Sequence, residues 1–101
     1  MRFMLIAEMP LEPFNTAVRN GSAGATMQKI LEDAKPEAVY FTEIDGRRTG
    51  FLVIDMKSTS EIPKFAEPWF LNFNAEVRFR PVMKPEDLAQ ADLPGLGKKW
   101  G

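Results

Sequence analysis

The segment KPEAVYFTEIDGRRTGFLVIDM limits the folds open to this chain more than any other stretch. Two runs rich in β-branched and aromatic residues, Val39–Ile44 and Gly50–Met56, flank DGRRT, in which Asp45-Gly46 is a strong turn former. This is the pattern of a β-hairpin, with Gly46-Arg47-Arg48 read as part of a solvated turn. Each side of the hairpin carries a helical stretch and then a further strand.

Upstream, RFMLIAE (Arg2–Glu8) alternates, with Phe3, Leu5 and Ala7 on one face and Met4, Ile6 and Glu8 on the other. MPLEP then ends the strand. The helical stretch that follows changes phase: Phe14, Ala17 and Val18 define one stripe, and Met27, Ile30, Leu31 and Ala34 another nearly opposite it. A straight helix cannot aim both at one sheet. Asn20–Gly24 (NGSAG) supplies a break, with Asn-Gly as a stop and Ser22 as an N-cap. As an anion nest the same stretch lacks the G-K-[ST] ending of a P-loop.

Downstream, Ile62, Phe65, Ala66, Trp69, Phe70 and Phe73 form one continuous helical stripe in STSEIPKFAEPWFLNF. Ser60 is the expected N-cap, Pro63 falls in the tolerated first turn, and Pro68 is expected to kink the interior. Ala75–Met83 (AEVRFRPVM) is the last strand. KPEDLAQA is a short helix begun by Pro85, and DLPGLGKKWG is a loose tail in which Trp100 either docks or stays exposed. One domain spans 1–101, with a core in 1–83 and a short helix and tail in 84–101.

Composition closes off several functions. The 101 residues include no histidine and no cysteine, which excludes His-based catalysis, Cys nucleophiles, zinc sites and His-ligated haem. Neither a metal nor a cofactor is expected. Thirteen basic and fourteen acidic residues give no electrostatic footprint for nucleic acid. The apolar runs are far short of the roughly 20 residues of a membrane span. The absence of cysteine points to a cytoplasmic location.

The element order β-α-β-β-α-β is the ferredoxin-like plan, an α+β fold with an antiparallel sheet expected in the order 4-1-3-2 and both helices on one face. The bare face then carries Met4, Ile6, Glu8, Tyr40, Thr42, Phe51, Val53, Asp55, Glu76, Arg78 and Arg80. It is too apolar for water and too charged for a plain core, as expected of a self-complementary interface around a small polar cavity. Strand three, taken as parallel to strand one, gathers Glu8, Asp55 and Glu76 at one end and sets Arg78 and Arg80 at the other, beside Arg2. The carboxylates are candidates for a base and the arginines for holding an anion; alternatively, opposite charges pair across a dimer. Tyr40 is a wall residue or a phenol acting in catalysis. Trp69 is core or lines a pocket.

MRFMLI, EAVYFTEIDGRRTGFLVIDM, FAEPWFLNFNAEVRFRPVM and PEDLAQA together resemble the dimeric α/β-barrel superfamily, most nearly its small bacterial members grouped as DUF3303. The resemblance implies a homodimer in which two sheets stack into a barrel. That superfamily includes binding proteins, cofactor-free monooxygenases, haem-degrading enzymes and isomerases. The histidines that some branches use are absent here. Two functions follow as expectations. One is a homodimer binding a small organic, in one form anionic, ligand between its sheets, with Arg78, Arg80, Glu8, Tyr40, Asp55 and Trp69 as candidate contacts. The other is a cofactor-independent monooxygenase or isomerase acting on a small aromatic or lactone substrate.

Overall fold

The computed structural model describes Met1–Gly101. Its elements are β1 (Arg2–Met9), α1 (Phe14–Arg19), α2 (Ala23–Ala34), β2 (Ala38–Ile44), β3 (Arg47–Asp55), α3 (Ile62–Phe73), β4 (Glu76–Pro81), α4 (Pro85–Ala89) and α5 (Leu93–Trp100). The four strands form one sheet in the order β2-β3-β1-β4, with every neighbouring pair antiparallel. No helix is long and apolar enough to cross a membrane.

The hairpin is tighter than its residues suggested. Asp45 and Gly46 both take positive φ, 52° and 79°, so they alone make the turn. Two successive residues of this kind match the right-handed twist of the flanking strands. β3 therefore resumes at Arg47, and Arg47 and Arg48 belong to the sheet, not to a solvated loop.

The crossover through α1 and α2 brings β2 into the sheet parallel to β1 but one place away, and the hairpin returns β3 between them. β3 thus runs antiparallel to β1, pairing Arg2 with Asp55 and Glu8 with Thr49. This corrects the expected direction of strand three and moves Asp55 to the far end from Glu8.

Leu5, Ala7, Leu52 and Ile54 are fully buried on one face against Ile30 of α2 and Phe65, Trp69 and Phe73 of α3. Phe3 and Phe79 meet edge to face at 6.5 Å, and Phe14 packs on Phe73 at 4.7 Å. The helical break falls where the phase change required it: α1 ends at Arg19, Gly21 has φ of 81°, and α2 begins at Ala23. Ser22 precedes α2 but its side chain caps nothing.

The entry to α3 also differs. Ser58, not Ser60, is the cap: with Glu61 it forms a capping box around the single 3₁₀ turn Thr59–Glu61. Pro63 sits in the first turn of α3, and Pro68 is carried inside a helix that continues to Phe73. Asn74, at φ 52°, ends it.

The tail is helical, not loose. Asp92 accepts from the Gly95 amide and starts α5, which runs to Trp100. No side chain of α4 or α5 belongs to the core or packs against it. Extents of 60 × 29 × 19 Å and a radius of gyration of 17.0 Å describe an elongated molecule, since a compact chain of this size has about 13 Å.

Candidate functional site

Strand pairing fixes the geometry of the face opposite α2 and α3. From the β2 edge to the β4 edge, one row holds Ala38, Val53, Met4 and Arg80. The next holds Tyr40, Phe51, Ile6 and Arg78, and the third Thr42, Thr49, Glu8 and Glu76. Alternation along each strand is enough to put these side chains on one side. Two apolar rows therefore run across the sheet, each ending at an arginine on the β4 edge.

The third row carries the charge. Glu8 and Glu76 lie directly opposite one another, a destabilising arrangement for like charges. Arg78 offsets it by donating to Glu8 at 3.3 Å and to Glu76 at 3.4 Å. Arg47 approaches the same Glu8 carboxylate from β3 at 3.8 Å, and the Glu8 side chain is only 15% exposed. Two carboxylates and two guanidinium groups thus neutralise one another within a single chain. Arg80 has no carboxylate partner and is exposed.

Asp55 lies at the other end, hydrogen-bonded to the N-terminal ammonium at 3.0 Å. That bond holds its carboxyl below the ordinary value. Beside it Arg2 donates two hydrogen bonds to Glu37, at 2.9 and 3.0 Å. The pair lowers the Glu37 pKa and raises that of Arg2. A cleft of about 700 Å³ opens here, between these groups and Pro81–Met83.

Of the expected site residues, the structure brings Glu8 and Arg78 into contact and sets Arg80 and Tyr40 on the same face. Asp55 is separated from Glu8 by the length of the sheet. Trp69 is 1% exposed in the core beneath the helices, so it lines nothing on this face. Arg78 meets carboxylates of its own chain, a contact that the expected basic end and acidic end had kept apart. A turn of five residues leaves Arg47 in a loop, whereas Asp-Gly at the turn is the signal that β3 begins one residue later, at Arg47. No group of three or more carboxylates is placed to hold a metal ion.

Fold and face together define a small α+β protein with a four-stranded antiparallel sheet covered on one side only. The chain belongs to the DUF3303 family, a domain of unknown function, whose family model matches residues 1–95. No curated protein matches the chain.

Proposed function

We propose that this protein is a ferredoxin-like, cytoplasmic subunit that pairs with a second copy through the open sheet face, as a dimeric α/β barrel, and binds a small organic anion between the two sheets. One observation carries the proposal: Tyr40, Phe51, Ile6, Val53 and Met4 form a continuous apolar belt that neither long helix covers. Tyr40 is 70% exposed. A patch of this kind marks an interaction surface in a soluble protein. Its charged border is already neutralised by Glu8, Glu76, Arg47 and Arg78, so stacking a second sheet on it buries few unpaired charges. Arg80, the border cation without a carboxylate, is the residue left to meet a ligand.

The projecting α4–α5 segment supports the same reading. Leu88, Leu93, Leu96 and Trp100 are 42, 55, 44 and 77% exposed in the single chain. A second subunit offers the surface that the first does not.

Light scattering at micromolar concentration tests the proposal. The expected mass is twice 11.4 kDa for the natural chain, and 11.4 kDa with unchanged circular dichroism for Phe51→Glu. A natural chain that stays monomeric ends the proposal. Thermal shift with small organic anions then tests the ligand: stabilisation of the natural chain but not of Arg80→Gln is the supporting result.

A further inference from the structure

Four of the six arginines lie beside a carboxylate, and a fifth, Arg80, is exposed to water. Arg48 has neither kind of partner. Its side chain is partly buried, it forms no ion pair, and its Nη1 is sealed from solvent without a hydrogen-bond partner. Pairing places Arg48 opposite Met9 and Glu43, on the helix side of the sheet. The guanidinium stacks 4.6 Å from the centre of the Phe14 ring. Glu43, the only carboxylate opposite it in the ladder, is occupied by the Gly46 amide at 2.9 Å. Neither α1 nor α2 carries an acidic residue in its first turn.

Arg48 lines a cleft of about 400 Å³ between the hairpin and the bend from α1 to α2. Met9, Phe14, Met27 and Phe41 supply its apolar walls. Its volume lies within the ~300–1,000 Å³ usual for small-molecule sites. Gly50 leaves room for the Phe41 ring, since a Cβ there would come within 3.2 Å of it.

Nη1 is closed to solvent, so a ligand in the cleft meets the guanidinium at its Nε and Nη2 edge, which no side chain pairs and which holds a carboxylate with two parallel hydrogen bonds. The apolar walls disfavour a fully hydrated inorganic anion. The thioethers of Met9 and Met27 adapt to an irregular apolar body and contact aromatic rings favourably. We infer that this cleft binds a small carboxylic acid with an aromatic or branched aliphatic body, one per chain, with Arg48 holding the carboxylate. The site opens on the helix side of the sheet, bordered also by Thr42 and Thr49 at the hairpin end, and does not depend on the apolar rows of the open face.

Methyl-resolved NMR of the natural, full-length protein titrated with phenylacetate and 4-methylpentanoate tests the inference, with phenylacetamide as the neutral isostere. The expected result is saturable shifts of the Met9 and Met27 methyls at millimolar acid, with Met4 on the open face unmoved. The amide should bind at least roughly tenfold more weakly, because a hydrogen bond to a charged group is lost. Arg48→Met should abolish the response, and Arg80→Gln should leave it intact. Arg48→Lys, which keeps the charge but not the fork, serves if the methionine variant does not fold, and should weaken binding. No shift of Met9 and Met27 with either acid overturns the inference, as does equal binding of acid and amide. A response confined to Met4 also overturns it and supports instead a ligand between the sheets.

Discussion

Arg78 and Glu8 meet at 3.3 Å although they are not paired in the ladder: Arg78 stands opposite Ile6, and Glu8 stands opposite Glu76. The contact is diagonal, within reach of a long side chain across adjacent strands. Because Glu8 is only 15% exposed and also faces Arg47, its removal leaves Arg47 without a carboxylate and Arg78 with Glu76 alone. Glu8→Gln should lower stability by about 1–2 kcal/mol. A double-mutant cycle with Arg78→Gln, read by urea unfolding, should give a coupling of about 0.5–1 kcal/mol. Strict additivity would mean the pair contributes nothing.

Trp69 is 1% exposed and packs on Phe73, with ring centres 6.3 Å apart. Trp69→Ala should cost about 3–5 kcal/mol, through lost burial and the cavity left behind. Much of the roughly 5–15 kcal/mol holding an ordinary domain together would be gone. The check is a large fall in melting temperature with the native far-UV spectrum retained in the cold.

Acid should destabilise the fold through Asp55, Glu37 and Glu12. The N-terminal ammonium lowers the Asp55 pKa from its ordinary 3.8, and hydrogen bonds from Arg2 and Thr16 lower those of Glu37 and Glu12 from 4.5. A carboxyl with a depressed folded-state pKa stabilises above its unfolded value and loses that contribution as pH falls through the folded value. Stability should therefore be flat near neutrality and decline below about pH 4.5. Acetylating the N-terminus, which removes the charge facing Asp55, should make the decline shallower. An identical acid limb in the acetylated protein would contradict the assignment.

The segment from Lys84 to the C-terminus contributes no side chain to the core. A chain ending at Met83 should keep its fold, and in the monomeric Phe51→Glu background its stability should lie within about 1 kcal/mol of the longer chain's. Denaturant unfolding measures this directly. Global unfolding of the shortened chain would show that α4 and α5 stabilise the body by a route other than core packing.

Face and element order were legible in the residues because both are local. Alternation of Phe3, Leu5 and Ala7 with Met4, Ile6 and Glu8 decides which side chains share a side, whatever strand lies beside them. The phase change between Val18 and Met27 required the break at Gly21 for the same reason. Asp45-Gly46 also encodes locally a strand that resumes directly after it, which puts both Arg47 and Arg48 in the sheet.

Neighbours across the sheet were not legible, because they depend on hydrogen bonds between segments far apart in the chain. The sequence by itself determined that Glu8, Asp55, Glu76, Arg78 and Arg80 would lie on one face. Only the antiparallel registers of β3 and β4 against β1 decided that Asp55 joins the N-terminus while Glu8 joins Arg78. The register of β3 sets Arg48 beside Met9, where the α1–α2 bend borders an open cleft that Arg48 lines. Periodicity assigns a side chain to a face. Its partners are chosen by long-range pairing, which no local pattern encodes.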